Sequence, residues 1–450
     1  MNIRKQTNCS GHSPVTRRHF LFGAATAASA SMLQAHPDAE VTSSGAMLKN
    51  TARAVIFINL NGAPSHLDLW DPKDGPWNPR DADLRQYAGG MVMSNRYWPN
   101  LSKITGDLLL LHSVQSWENA HERGQFYMQT GHPSNPAFAT EIPHIGAVIS
   151  REKGANGQVP PFMSFNQTIQ GATFLGGRFQ PMYPPAQRTG IATLTHNHFG
   201  SDSNNRFNRR FGMLEALDQP LRQAPYSQGM ADYASFYNTA RGMMYNEAVA
   251  NVFTYDANDE GRYGNTQAGR SLLVARNAIR GKNGTVFVNV SVTGWDLHDT
   301  MFDTGRAGNF YTLVNELDRA LGALVEDLKA SGDFGQTMIV LMGEFGRTPG
   351  YLNSRGGRDH YKDAMSVAML GGGVKGGRVI GAKNATGSAI VTPGWSADRP
   401  IYTEDITATV YSALGVDYTK SIADTPSRRR YVYVPGVADG KYQPIEEVWG

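Results

Sequence analysis

The sequence predicts an α/β fold organised on a mostly parallel central sheet. Apolar or β-branched runs of strand length recur at 54–60, 108–114, 285–292, 337–342 and 363–370. Segments with helical apolar spacing alternate with them, the pattern that builds parallel layers. Most runs also stop at glycine or at a loop carrying Asn, Asp, Glu or His, where open α/β sheets place their ligands. The chain is 450 residues long, 40% hydrophobic and 18% charged, enough for one large core or two smaller ones.

Taken in order, the run at 54–60 is apolar on both faces, as a central parallel strand must be. It leads into Asn61-Gly62-Ala63-Pro64-Ser65-His66-Leu67-Asp68, and Asp71-Pro72-Lys73-Asp74-Gly75-Pro76 is a turn-rich loop. The strand at 108–114 precedes a helix expected to start near Asn119 with His121 in its first turn. Unpaired N–H groups there favour a nucleophile or an anion-binding group. The plainer alternative is Asn119 as N-cap and His121 exposed.

Residues 133–285 are the least regular part, broken by Pro160-Pro161 and Pro184-Pro185. Segments 226–252 and 267–280 read as helices, and the whole stretch as an insertion or cap on the sheet. His196-Asn197-His198, followed by an Asn/Asp/Ser-rich loop, reads as a surface turn rather than a metal site. The strand at 285–292 leads to Trp295-Asp296-Leu297-His298-Asp299. Leu313, Leu317, Leu321, Leu324 and Leu328 keep helical spacing across 309–331, and Gly332 stops that helix. These leucines are core.

The segment 337–361 reads TMIVLMGEFGRTPGYLNSRGGRDHY. A buried strand ends at Gly343, Glu344 and Arg347 follow in a Gly/Pro-broken loop, and Asp359-His360 closes it. Two carboxylates, a guanidinium and an imidazole in one loop suit an anion, a metal or both, while a simple Glu344–Arg347 pair beside a solvated His360 is the alternative. After 363–370, Gly371 to Gly376 matches a GxGxxG pattern. That fingerprint requires a helix straight after it. Arg378-Val379-Ile380-Gly381 reads instead as extended, so a hairpin is expected and nucleotide binding is rejected. A short helix at 406–414 ends at Gly415.

The N-terminus reads as an export signal. Thr16-Arg17-Arg18-His19-Phe20-Leu21 is a twin-arginine pattern, an Ala-rich apolar run follows to Ala30, and Ala28-Ser29-Ala30 offers a cleavage site. Residues 1–30 are thus assigned to a twin-arginine signal, 31–50 to a flexible leader, and 51–450 to one domain with its insertion or cap at about 133–285. The expected location is the periplasm, with the twin-arginine translocase as a partner. Removing residues 1–30 lowers Lys+Arg from 42 to 38 against 39 Asp+Glu, so the mature chain is near neutral and offers no nucleic-acid surface. No run after the signal reaches the length of a membrane span. Cys9, the only cysteine, lies in the signal, so the mature chain has no disulfide and no thiolate.

Four segment ends collect the polar residues: Asn61/Ser65/His66/Asp68, His121, Asp296/His298, and Glu344/Asp359/His360. Gathered at one rim of a sheet, imidazoles and carboxylates suit a divalent metal such as zinc, manganese or iron.

The motifs Gly-Ala-Pro-Ser-His-Leu-Asp at 62–68, Asn-Ala-His-Glu-Arg at 119–123, Gln-Thr-Gly at 129–131, Trp-Asp-Leu-His at 295–298, Glu-Phe-Gly-Arg-Thr-Pro at 344–349 and Gly-Arg-Asp-His at 357–360 carry a resemblance. Together they resemble the bacterial family of domain of unknown function 1501, itself similar to the alkaline-phosphatase/sulfatase superfamily. The resemblance spans nearly the whole mature chain and implies an alkaline-phosphatase-like three-layer sandwich. It places the superfamily's metal-bridging Asp-Gly at Asn61-Gly62, one ligand pair at Asp296 and His298, another at Glu344-Phe345, and a late ligand at His360. His121 falls where sulfatases have their cysteine, with Thr130-Gly131 as the following Thr-Gly.

The chain departs from that pattern at Asn61, Phe345 and His121, which excludes formylglycine-type sulfatase chemistry. The implied function is an exported metal-dependent hydrolase of phosphate or sulfate esters, acting on an anionic ester or glycan-like small molecule. Metal ligands are expected among His66, Asp68, Asp296, His298, Glu344, Asp359 and His360. His121 is expected to attack, ligate or donate a proton, and Arg123 or Arg347 to clamp the anion. The alternative is a non-catalytic periplasmic binding protein on the same scaffold.

Overall fold

A computed structural model describes residues 41–42, 45–154, 157–191, 202–423 and 425–450. The expected signal, Cys9, most of the leader and His196 to His198 lie outside the described residues. Seven strands form the central sheet: β1 (Ala54–Leu60), β2 (Leu109–Val114), β3 (Phe162–Phe165), β4 (Phe287–Val292), β5 (Thr337–Met342), β6 (Met365–Leu370) and β7 (Arg378–Ile380). Their order across the sheet is β7-β2-β6-β5-β1-β4-β3. Among the described residues only β6 runs against its neighbours in this sheet; the other pairings are parallel. The fold is therefore α/β with a mostly parallel sheet, as the alternation of elements implies.

The apolar runs resolve into two faces because side chains alternate along a strand. Ile56, Ile58, Ile339, Leu341, Val288 and Val290 enter one core with α3 (Gln267–Arg280) and α4 (Phe310–Ala330). Val55, Phe57, Met338 and Val340 enter the opposite core with α2 (Ile145–Lys153) and α5 (Thr403–Ala413). Helices thus cover both faces, completing three layers. All six β5 side chains are buried, each apolar one worth roughly 1.5–3 kcal/mol.

Helix α4 shows how local signals set an element. Asn309 caps it by accepting from Thr312 N at 3.1 Å, and the five leucines at helical spacing are all buried. Three expectations need correction. Arg378–Ile380 is not part of a hairpin but the edge strand of the main sheet, parallel to β2, because the glycines before it carry the chain past β2. The expected 226–252 helix is two, Gln228–Met243 and Glu247–Phe253, split where Tyr245 takes φ 57° and Asn246 starts a new cap. Helix α5 begins at Thr403, three residues early, since the Asp405 carboxylate reaches back to Tyr402 N at 2.9 Å.

Residues 133–285 contribute α2, β3 and α3 to the layers themselves. Among the described residues no helix is long and apolar enough to cross a membrane.

The register decides what meets at the rim. Leu60 of β1 pairs with Val292 of β4, and Asn59 with Met342 of β5. Asn61, Thr293 and Gly343 therefore leave the sheet side by side.

Candidate metal centre

Four segments converge at that rim. The turn at Asn61-Gly62 lies against the Trp295–Asp296 backbone so closely that a Cβ on Gly62 would sit 2.4 Å from Asp296 N. Gly62 also has φ +107°, which a side chain would disfavour. Helix α1 (His121–Thr130) brings His121 in as its first residue. Its Gly124 packs on Glu344, where a Cβ would approach Glu344 Cβ to 2.8 Å. Arg347 and His360 face each other across a short antiparallel ladder, Gly346–Arg347 with His360–Tyr361. Ala120, not Asn119, precedes α1. The Asn119 side chain does not cap the helix, and its carbonyl lies 2.9 Å from His360 Nδ1.

His121, Asp296, His298 and His360 each offer one ligand atom, and these atoms lie within 4.8 Å of one another. His121 Nε2 and His298 Nε2 are each 3.0 Å from Asp296 Oδ1, and His360 Nε2 is 3.9 Å from it. The opposite ring nitrogens are all held by oxygen acceptors. His121 Nδ1 is 2.8 Å from Glu344 Oε2, His298 Nδ1 is 2.9 Å from Asp359 Oδ1, and His360 Nδ1 meets the Asn119 carbonyl. A carboxylate or carbonyl oxygen accepts only, so each Nδ1 donates. In a neutral ring Nε2 then turns a lone pair inward, and at His121 and His298 that lone pair would face the Asp296 carboxylate at 3.0 Å unless a cation lay between them.

This arrangement fits a cation. His298 Nε2 and His360 Nε2 stand 3.1 Å apart, and with both Nδ1 atoms protonated two lone pairs would face each other there. Two imidazoles sharing an ion at about 2.0–2.1 Å from each nitrogen would have similar spacing. Histidines whose Nδ1–H is tied to an oxygen are the usual form of metal-binding histidine. Half of the Asp296 side chain surface is exposed, so the centre opens to solvent on that side.

Arg347 borders the same centre and is itself buried. Its Nε, Nη1 and Nη2 donate to the carbonyls of Ala63 (2.8 Å), Arg358 (3.1 Å) and Gly62 (2.6 Å), which fix the guanidinium. Two further N–H groups point inward, to Asp296 Oδ1 at 2.5 Å and His298 Nε2 at 3.1 Å. Burial opposes ionisation of Asp296, but the Arg347 hydrogen bond and charge outweigh it and hold the carboxyl below its ordinary range. The Glu344 hydrogen bond raises His121 above the usual imidazole value, whereas burial lowers His360.

The structure thus brings together His121, Asp296, His298, His360 and Arg347. Glu344 and Asp359 reach the centre through histidine Nδ1 atoms; Glu344 is fully buried and also accepts from Gly62 N at 3.0 Å. His66, Asp68 and Arg123 are engaged elsewhere. Ser65 caps a short helix, His66–Leu69, that turns the first two inward. His66 Nε2 is 2.9 Å from the Gly387 carbonyl, and burial lowers its pKa to about 3. Asp68 forms a buried pair with Arg358, at 2.6 and 3.2 Å. Arg123 pairs with Glu118 at 2.7 Å. Reading side chains alone misses the Asn119 carbonyl and the Gly62 N–H as orienting groups; the signal for the second was the glycine after a strand end.

Several solved structures are similar to this chain. Ps i-CgsB in complex with k-i-k-neocarrahexaose is 12% identical, with a TM-score of 0.40, over 88% of this chain and 79% of that one. The phosphonate monoester hydrolase SpPMH from Silicibacter pomeroyi is 13% identical, with a TM-score of 0.39, over 80% and 73%. The alkaline phosphatase from the Antarctic bacterium TAB5 is 12% identical, with a TM-score of 0.31, over 72% and 92%. A search of curated proteins finds no match. The model of the family described as protein of unknown function (DUF1501) matches residues 52–433, and the chain belongs to that family.

Proposed function

We infer that this protein is a metal-dependent hydrolase of phosphate or sulfate esters, exported through the twin-arginine pathway to the periplasm. One observation carries the reading: three histidines from three separate segments each have Nδ1 tied to an oxygen and Nε2 aimed at one point beside Asp296. His121, Asp296, His298 and His360 would hold the ion. A divalent metal there would polarise the ester and lower the pKa of water. The two inward N–H groups of Arg347 are placed to take an anionic oxygen once the ring nitrogens serve the ion. Glu344 and Asp359 keep the proton on Nδ1 of their histidines. Overall, a bond from water oxygen to phosphorus or sulfur forms, the ester oxygen's bond to that atom breaks, and the released alcohol oxygen takes up a proton.

The test is metal content together with turnover. Purified mature protein should hold zinc, manganese or iron in stoichiometric amount and release 4-nitrophenol from its phosphate or sulfate ester. A His298→Ala/His360→Ala variant should lose both properties. Export is tested by fusing residues 1–50 to a reporter and replacing Arg17 and Arg18 by lysine; a periplasmic signal that survives the replacement counts against the pathway.

A second reading, a non-catalytic protein binding an anionic ligand, draws on Arg347. A buried guanidinium already bonded to Asp296 and His298 supplies positive charge to the centre without an ion. Protein free of metal and inert on both esters would favour it.

A further inference from the structure

Beside the His121 edge of the centre, three primary amides form a chain. Asn61 Nδ2 donates to Gln167 Oε1 at 2.6 Å, and Gln167 Nε2 donates to Gln125 Oε1 at 3.0 Å. Asn61 directly follows β1, and its carbonyl accepts from Trp295 N at 3.2 Å, next to Asp296. Gln125 lies one turn after His121 on α1, so both project from the same side of the helix. Gln167 comes two residues after β3. The members are 106 and 42 residues apart, so the tertiary fold aligns them. All three are half-buried.

A primary amide offers two N–H donors and one oxygen with two lone pairs. The chain uses one donor each of Asn61 and Gln167 and one acceptor each of Gln167 and Gln125. It leaves the Asn61 oxygen at one end and the Gln125 NH2 group at the other, neither with a hydrogen-bond partner among the described residues. Two residues back on β1, Asn59 is fully buried and neither polar atom of its amide has a hydrogen-bond partner among the described residues. Beside the strongly charged centre there is thus an uncharged row of fixed donors and acceptors. Hydroxyl groups, each both donor and acceptor, match such a row. An alkyl chain would strip water from the amides and return no hydrogen bond, and sites of that kind discriminate strongly against analogues lacking the hydroxyl.

We propose that Asn61, Gln167 and Gln125 form the subsite for the alcohol part of the ester, and that this alcohol is polyhydroxylated, of the sugar type. The proposal rests on the hydrolase reading, in which the neighbouring centre takes the anionic group. The bond changes are those of the hydrolysis above, with the sugar-type alcohol as the released product.

The test uses full-length mature protein with zinc added, and isothermal titration with four probes: glucose 6-phosphate, glucose 6-sulfate, propyl phosphate and propyl sulfate. For whichever anion binds, the hexose ester should bind at least about tenfold more tightly than the propyl ester, the worth of one or two good hydrogen bonds. Gln125→Leu and Gln167→Leu should each cut that preference by about tenfold, with zinc stoichiometry showing that the fold is kept. Should Gln167→Leu fail to fold, Gln125→Leu decides alone. Equal affinity for hexose and propyl esters, a preference untouched by the leucine variants, or no binding by any probe overturns the proposal. The two readings fail separately: hexose esters held tightly but never cleaved sink the hydrolase and leave the subsite, whereas turnover without hexose preference does the reverse.

Discussion

Replacing Glu344 by glutamine strikes the centre where it has least freedom. Glu344 is fully buried and both of its oxygens accept: Oε1 from Gly62 N at 3.0 Å, Oε2 from His121 Nδ1 at 2.8 Å. Glutamine keeps the shape but has one oxygen. If that oxygen stays with Gly62, the amide NH2 faces His121, whose Nδ1 must then offer a lone pair. The imidazole proton moves to Nε2, and a protonated Nε2 cannot bind an ion. If the oxygen stays with His121, NH2 meets the Gly62 N–H, and a buried donor loses its acceptor at a cost of about 1–3 kcal/mol. Orienting partners of metal-binding histidines are typically worth about 10–100-fold in affinity, or about 1.4–2.7 kcal/mol. Glu344→Gln should therefore raise the Kd for zinc by that factor at constant stoichiometry. The assay is a competition titration against a chromogenic chelator at one pH, with a circular-dichroism melt as the control for folding. A folded Glu344→Gln protein that binds zinc within about twofold of wild type would refute the assignment of tautomers on which the centre depends.

Other expectations follow from the same geometry. Asp68→Ala should cost about 3–5 kcal/mol in denaturant unfolding, because it strands the buried Arg358 guanidinium; a loss below about 1 kcal/mol would mean the pair is not buried as described. Gly124→Ala should destabilise by about 1–3 kcal/mol and weaken zinc binding, since its methyl would press on Glu344; normal stability with normal affinity would count against the contact. Burial raises the Glu404 carboxyl from 4.5 to about 7, with the Tyr127 hydroxyl bonded to it. The unfolded chain ionises first, so this group's contribution is fully present below about pH 4.5 and is lost as pH rises toward 7. Glu404→Gln should flatten that part of the stability–pH curve, by up to about 3 kcal/mol, and an unchanged slope would show that Glu404 is not buried in this way.

Much of the scaffold is legible residue by residue. The run 54–60 is apolar at nearly every position because β1 lies inside the sheet with a helical layer on each side, and water excluded from both faces leaves no place for charge. The leucines of α4, its Asn309 cap and its stop near Gly332 follow from helical periodicity and local hydrogen bonding alone. His121 at the head of a helix, and ligand-type residues just past strand ends, are visible for the same reason: strand and helix ends are local events.

Which of those residues meet is another matter. His66 and Asp68 share a strand end with Asn61 and look as eligible as His298. Yet Ala63, Pro64 and Ser65 turn them away from the centre, and Asp68 finds its counter-charge on Arg358, 290 residues along the chain. Conversely, His121 and Glu344 are 223 residues apart and within hydrogen-bond distance. Strand order, the reversed β6 and the level ends of β1, β4 and β5 come from pairing between distant segments, where each strand is equally apolar and equally able to pair with several others. Composition and spacing therefore determined the layers and the pool of ligand-type side chains. The packed sheet decided which imidazoles face one another, because only its register brings distant strand ends to the same rim.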